Sequence, residues 1–428
     1  MPSVIVVGGG MAGVACAAAL ADQDVQVTLI DRHNYTQFQP LLYQVASSQL
    51  PAEDVARPLA TAFKGQSSVT TVTSEITGID PATRTVTTTD GDRRADHQAD
   101  YLVIAAGSQP NFFGVPGAAE HSFPLYSVRD ARRLRRHLRD RLRMLCDPAA
   151  SADPYTVIIC GGGPTGVETA GALVELFGAL EDQGKLQCAA RVRLVDHGTA
   201  LLRPFTDKSH EYARDKLTEK GVQISFGVAV SGVQADTVTL SDGSTVDTDT
   251  VIWAGGISGA PLVERAGITA GRGGRIDVAA DLTVPGHPDV YAVGDVANIP
   301  GRDGHALPQL GSVALQSGTW AAKNIHAQVK GEDLTPFHYH DKGIMAMIGR
   351  NTAVAEIGKH RHHLEGPLAF VSWLGLHAVL LSGIHSRVDA FLNWADDYFH
   401  HARAADLELE DSVGRIAWAD DDADRPTL

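Results

Sequence analysis

Gly8-Gly9-Gly10-Met11-Ala12-Gly13 follows the apolar run Val4 to Val7 and precedes an Ala-rich stretch, Val14 to Ala21. This is a GxGxxG turn between a buried parallel strand and a helix, and the chemistry it offers is binding rather than bond-making. Gly8 permits the tight turn, Gly10 lets a pyrophosphate approach the backbone, and Gly13 lets the helix close on the strand. The start of the helix presents unpaired N–H groups to the phosphates. Asp31 ends a second strand, Val25 to Ile30, where a carboxylate can accept hydrogen bonds from ribose hydroxyls.

The same pattern returns. Thr156 to Cys160 reads as a strand, Gly161-Gly162-Gly163-Pro164-Thr165-Gly166 as a second glycine turn, and a helical stretch begins at Val167. A further strand, Arg191 to Val195, ends at Asp196, with Phe177 to Ala190 readable as an extended helix or as a loop. A 2′-phosphate would meet a like charge at Asp196, so NAD(H) is expected over NADP(H). Arg203, a little downstream, leaves the phosphorylated cofactor open.

The elements around these turns fit two nested nucleotide-binding units. Asp100 to Ala105 is a strand running into Ala106 and Gly107, and Thr250 to Ala254 is its counterpart, running into Gly255 and Gly256. Small residues there let the chain cross close to a dinucleotide. Between the glycine turns, Val69 to Thr89 alternates β-branched and polar residues, the period of an antiparallel meander. A last strand, Asp289 to Val293, leads into Gly294 and Asp295, where a carboxylate can bind the ribityl or ribose hydroxyls of a flavin. The fold class expected is α/β: two Rossmann-type dinucleotide-binding domains, an FAD domain with an inserted NAD(H) domain, plus a C-terminal helical region. The expected boundaries are 1–110 and 261–335 for the FAD domain, 111–260 for the insert, 336–404 for the C-terminal region and 405–428 for a flexible acidic tail.

Composition narrows the partners. With 428 residues there is room for two or three cores, and a formal net charge of −15 argues against a nucleic-acid partner. Cys16, Cys146, Cys160 and Cys188 form no CxxC pair and no zinc-like spacing, so neither a disulfide framework nor a metal site is expected, and a reducing cytosolic setting is. His338, His340, His360, His362, His363, His400 and His401 likewise lack the spacing and companions of a metal site. The N-terminus opens into a strand with no basic region, unlike a secretory signal. Arg132, Arg133, Arg135, Arg136, Arg139, Arg141 and Arg143, interspersed with Asp130 and Asp140, read as a solvated helix face, with an anion site as the other reading.

Taken together, these motifs resemble the pyridine nucleotide–disulfide oxidoreductase superfamily and, within it, the type II NADH dehydrogenases. Phe38-Gln39-Pro40-Leu41-Leu42-Tyr43-Gln44-Val45-Ala46, Asn111-Phe112-Phe113-Gly114-Val115-Pro116-Gly117 and the second glycine turn with Val167 and Glu168 are similar to that family's segments. So are Gly274 to Val278, Gly294-Asp295, Asp341-Lys342-Gly343 and Met347 to Arg350. The resemblance implies non-covalent FAD held by Gly8, Gly10, Met11, Ala12, Gly13, Asp31, Arg32, Gln44, Ala106, Gly107, Gly294, Asp295 and Val313. It implies NADH held by Gly161, Gly163, Pro164, Thr165, Gly166, Glu168, Asp196 and Gly255. The activity it implies is hydride transfer from NADH to the flavin and two-electron transfer to a quinone, without proton pumping, in a respiratory chain. Glu168 would face the nicotinamide–flavin contact or, alternatively, only stabilise the first helical turn. Lys342 would lie near the flavin ring or stand in solvent.

One departure concerns the acceptor. Where the family carries AQxAxQ, this chain reads Gly311-Ser312-Val313-Ala314-Leu315-Gln316, so Ser312 replaces the first glutamine. A quinone placed by Ser312, Gln316 and Lys342 would then need a water bridge or another donor. A soluble NAD(P)H-dependent flavin reductase with another acceptor, and a flavin-based NADH sensor, are the alternatives. Cys160, beside the glycine turn, is expected to pack rather than react.

The most apolar stretch, Pro367 to Ile384, is short for a membrane span, which needs about 20 residues. With Trp373, Trp394, Tyr398 and Phe399 it reads as an in-plane membrane anchor or as helices packed on protein. The resemblance favours a cytoplasmic protein, peripheral on the inner face of the cell membrane, and makes a homodimer plausible. The acidic tail, with Asp420-Asp421-Asp422, would point away from anionic lipid.

Overall fold

The computed structural model describes residues 1–148, 153–302 and 304–381. The chain divides into two compact units. The first comprises Met1–Gln37, Ala56–Gln109 and Ile257–Asp341; the second comprises Phe38–Val55, Pro110–Gly256 and the described residues from Lys342 onward.

The first unit is built on a six-stranded sheet ordered Thr283–Val284, His287–Ala292, Tyr101–Ile104, Ser3–Val7, Gln26–Asp31 and Val69–Thr73. Every neighbouring pair is parallel except the first. The strand order reverses at Ser3–Val7, which has the Tyr101–Ile104 strand on one side and Gln26–Asp31 on the other. Such a switch point opens a crevice at the carboxyl ends of the strands. The central strands are continuous apolar runs because both faces are covered: Val4, Val6, Leu29, Leu102 and Ile104 are all buried. The helix Met11–Leu20 packs on this sheet, and the helix Gly311–Val329 packs on Met11–Leu20.

The expected meander is displaced. Val69–Thr73 joins the parallel sheet as its edge, paired with Gln26–Asp31, and the antiparallel sheet is formed by Glu75–Asp80, Thr85–Asp90 and Arg93–Gln98. An edge strand of a parallel sheet is half exposed, so it alternates like a meander strand, and alternation carries no information on direction.

The second unit repeats the design. Its parallel sheet runs Phe123–Pro124, Val251–Trp253, Tyr155–Cys160, Ala190–Asp196 and Gln223–Phe226. The helix Pro164–Asp182 follows the glycine turn, so the stretch after Phe177 is helix first and loop afterwards. The Arg-rich segment is the helix Val128–Leu145, which buries Val128, Ala131, Leu134, Leu138 and Leu142 at helical spacing. Ser127 and Asp130 close its start as a reciprocal capping box. Arg133, Arg136 and Arg143 are exposed on its outer face.

The C-terminal part begins with an antiparallel sheet, Gly343–Gly349, Thr352–Ile357 and His362–Glu365, and continues into the helix Gly366–Leu380. Gly171 explains how closely the Pro164–Asp182 helix lies on this sheet: a Cβ there would collide with the Ile348 carbonyl. One face of the last helix buries Ala369, Trp373 and His377, while Leu368, Val371, Leu376, Val379 and Leu380 are exposed. Among the described residues no helix is long and apolar enough to cross a membrane. Trp394, Tyr398, Phe399, the remainder of the expected anchor and the acidic tail lie outside the described residues.

Candidate functional site

In the first unit the glycine turn is fixed by contacts that exclude any side chain. Gly8 has φ +107°, and a Cβ there would strike the Ala105 carbonyl; a Cβ on Gly13 would strike the carbonyl oxygen of Gly8. Gly10 has no atom within 4 Å of where its Cβ would lie, so the space in front of it is open. Gly10 also caps the Met11–Leu20 helix without a side-chain hydrogen bond, which leaves N–H groups for an anion. The Asp31 carboxylate is held from two sides, accepting the Gly9 N–H at 2.6 Å and the His33 N–H at 2.7 Å. Each oxygen keeps a lone pair for a ribose hydroxyl. Arg32, next to it, is exposed.

The other expected residues of this unit converge on the same turn. A Cβ on Gly294 would lie 2.9 Å from the Ala12 side chain, and one on Gly311 2.8 Å from the Met11 sulfur. The Gly294 N–H donates to Ser317 Oγ at 3.1 Å. The Gly311–Val329 helix, with Val313 buried in its first turn, also starts without a side-chain cap, so a second free helix start stands close to the first. Asp295 is half-buried; burial raises its carboxyl, opposed by the Ser108 hydroxyl, which donates at 3.2 Å, and by Arg275. Ala106 and Gly107 follow the Tyr101–Ile104 strand, Gly107 with φ +70°.

The second unit is a near copy. Gly161 has φ +110° against the Ala254 carbonyl, Gly166 sits against the carbonyl of Gly161, and Gly163 faces open space. Asp196 accepts the Gly162 N–H and the Gly198 N–H, both at 2.6 Å. Pro164 opens the helix, where its missing N–H costs nothing, and Thr165 is exposed beside it. Gly255 lies past the strand end, against Trp253 and Cys160. Arg203 Nη1 is 3.5 Å from His197 Nε2, on the loop that Asp196 anchors. Burial, with Asp196 nearby, pushes the Cys160 thiol up to about 12.

Behind this turn lies a buried acidic group. Glu168 is 8% exposed, and its Oε1 accepts the Met347 N–H at 3.1 Å. Burial pushes its carboxyl up to about 8, against hydrogen bonds from Met347 and Trp373, so it is protonated at neutral pH. Aromatic groups enclose it. Tyr43 lies edge-on to Trp373 with ring centres 6.4 Å apart, and Trp373 stacks on His377 at 3.9 Å. Phe38 lies edge-on to His377 with ring centres 6.0 Å apart. Burial lowers His377 to about 4, and one ring nitrogen lies 2.8 Å from the Trp373 carbonyl, so the ring is neutral. Gln44 is buried as well and donates to the Tyr43 hydroxyl at 3.0 Å. Tyr43, Met347, Trp373 and His377 were not site candidates from sequence: Tyr43 and Met347 stood only within family-like segments, and Trp373, read with the membrane anchor, is instead buried.

The three expected acceptor residues are engaged differently. The Ser312 and Tyr339 hydroxyls are 2.8 Å apart. Gln316 uses both ends of its amide on one residue, donating to the His340 carbonyl at 3.0 Å and accepting the His340 N–H at 2.9 Å. It therefore straps the segment that leaves the first unit onto the Gly311–Val329 helix. Lys342 is exposed.

The chain is similar to characterised proteins over most of its length. The model of the pyridine nucleotide-disulphide oxidoreductase family matches residues 2–318. A type II NADH:quinone oxidoreductase of Mycobacterium tuberculosis, NdhA, is 34% identical over 94% of this chain and 88% of its own. One from Staphylococcus haemolyticus is 30% identical over 82% and 88%. In fold, the chain matches NDH2 from Plasmodium falciparum, solved in complex with NADH, with a TM-score of 0.85 at 18% identity, covering 93% of this chain and 98% of that one.

Proposed function

Since the chain belongs to the pyridine nucleotide-disulphide oxidoreductase family and, within it, to the type II NADH:quinone oxidoreductases, we propose that it oxidises NADH with a bound FAD and reduces a quinone, without pumping protons. The observation that carries this reading is the duplicated cradle. Each unit has a glycine turn open at its third glycine, a helix start without a side-chain cap and an aspartate tied to the turn by a backbone N–H at 2.6 Å.

The residues of the first unit fit FAD. Gly10 and the Met11–Leu20 helix start would take the pyrophosphate, Asp31 the adenosine ribose, and Asp295 with the Gly311–Val329 helix start the flavin end. FAD supplies the redox chemistry when bound, accepting a hydride and releasing two electrons. In the second unit Gly163, Pro164, Thr165 and Gly166 would bind the pyrophosphate of NADH. Asp196, already fixed by two N–H groups, would accept the free ribose hydroxyls and disfavour a 2′-phosphate.

Reduction of a quinone by two electrons also takes up two protons. Glu168, whose carboxyl burial pushes up to about 8, would carry a proton near neutral pH among aromatic side chains, and that is the chemistry this chain can add to the cofactor's own. The Met347 N–H fixes its orientation. A reductase with a different acceptor is the second reading, favoured by the engagement of Ser312 with Tyr339 and of Gln316 with His340.

The exposed row Leu368, Val371, Leu376, Val379 and Leu380 supports a peripheral position on a membrane, with this helix in the plane of the interface; the inner face of the cell membrane is the side we infer for an enzyme that takes NADH. The test of the activity is stoichiometric. With FAD-loaded protein and a soluble quinone under argon, one quinol should form for each NADH consumed. NADH oxidation that needs oxygen or another acceptor, with no quinol formed, would overturn it.

A further inference from the structure

Two of the four cysteines lie on neighbouring segments away from both glycine turns. Cys146 caps the carboxyl end of the Val128–Leu145 helix, and Cys188 lies just before the Ala190–Asp196 strand. One backbone hydrogen bond joins their immediate neighbours, and a second fixes the Cys188 segment on the next strand. The Gln187 N–H donates to the Leu145 carbonyl, and the Tyr155 N–H donates to the Ala189 carbonyl, each at 2.9 Å. Both thiols are half-buried and therefore reachable by a small oxidant, whereas Cys16 is fully buried.

We propose that Cys146 and Cys188 are an oxidant-responsive pair, closing to an intramolecular disulfide when the protein meets a hydroperoxide. One thiolate attacks the peroxide O–O bond, becoming a sulfenic acid and releasing the alcohol, or water when the oxidant is hydrogen peroxide. The second thiolate then displaces water from that sulfur and forms the S–S bond. In sum, two thiols lose two electrons and two protons, and the peroxide is reduced to an alcohol and water. Cys188 acts electrostatically on Cys146, as thiols close together do; burial raises the Cys146 thiol, and the Lys185 charge opposes that rise.

The position of the pair sets its consequence. It lies at the amino ends of the Tyr155–Cys160 and Ala190–Asp196 strands, whereas the glycine turn and Asp196 lie at their carboxyl ends. A six-residue strand puts about 20 Å between the two. The bridge would tie the end of one helix to the entry of a neighbouring strand and leave dinucleotide binding unchanged.

The test uses the full chain loaded with FAD, exposed to hydrogen peroxide, quenched with N-ethylmaleimide in denaturant and digested with chymotrypsin. That protease cuts after Tyr155 and so separates Cys146 from Cys160. The expected product is a peptide pair carrying Cys146 and Cys188, two hydrogens lighter than its parts, from protein that stays monomeric in mass on a non-reducing gel. C146S and C188S should each abolish it while retaining NADH oxidation, and the native chain should form it at least tenfold faster than the urea-unfolded chain. Sulfinic acid on either cysteine without the link, a link between two chains, or equal rates folded and unfolded would each overturn the proposal.

Discussion

Replacing Glu168 by Gln tests whether this carboxyl is carried neutral. Burial raises it from 4.5 to about 8 in the folded protein. The stability this contributes is fully present below about pH 4.5, where folded and unfolded chains are both protonated. It is lost as the pH climbs towards about 8, because only the unfolded chain then ionises. The full displacement corresponds to about 5 kcal/mol at about 1.4 kcal/mol per pH unit. Water entry around the ionised group reduces that, so a loss of about 2–4 kcal/mol between pH 5 and pH 9 is expected. Gln has the shape of the protonated acid and does not titrate. Whatever fixed cost E168Q carries, its stability relative to the wild type should therefore rise with pH across that window. Urea unfolding of both FAD-loaded proteins at intervals from pH 5 to pH 9 measures the difference directly. A difference that stays constant, or that falls as the pH rises, would refute the claim that Glu168 is buried as a neutral acid.

The two glycine turns should fail independently. G13A forces a Cβ onto the Gly8 carbonyl and should strip FAD from the purified protein, while G166A should keep the flavin and raise the KM for NADH at least about tenfold, about 1.4 kcal/mol. D196S removes the charge that opposes a 2′-phosphate, so the NADPH-to-NADH ratio of kcat/KM should rise about tenfold or more; an unchanged ratio would move the discrimination away from Asp196. The double variant V371E/V379E places two charges on the exposed face of the Gly366–Leu380 helix and should abolish flotation with anionic lipid vesicles while leaving NADH oxidation by a soluble quinone intact.

What could be read in advance was what is locally constrained. A glycine at φ +107° or pressed against a carbonyl has no substitute, so both turns, their strands and the aspartates at the strand ends were legible from residue type and spacing. Strand direction was not, because Val69–Thr73 alternates in the same way whether it edges a parallel sheet or starts a meander. Long-range partners were equally hidden. Glu168 was singled out only by resemblance; the helix starts at Pro164, which puts it past the first turn, and its character comes from Tyr43, Met347 and Trp373, which approach from distant segments. The proximity of Cys146 and Cys188 depends on where a helix ends and a loop returns, and spacing contains no trace of it. Ser312 and Gln316 were visible only through the resemblance of their segment to AQxAxQ, but not their partners Tyr339 and His340.

The most direct test of the central claim is anaerobic stopped-flow mixing of FAD-loaded protein with one equivalent of NADH and then with a short-chain quinone, following flavin absorbance near 450 nm, the usual oxidised-flavin band. The absorbance should be bleached by NADH and recover fully on addition of quinone, within the turnover time. Bleaching without recovery would contradict quinone as the acceptor, and an absorbance that NADH does not change would contradict the function as a whole.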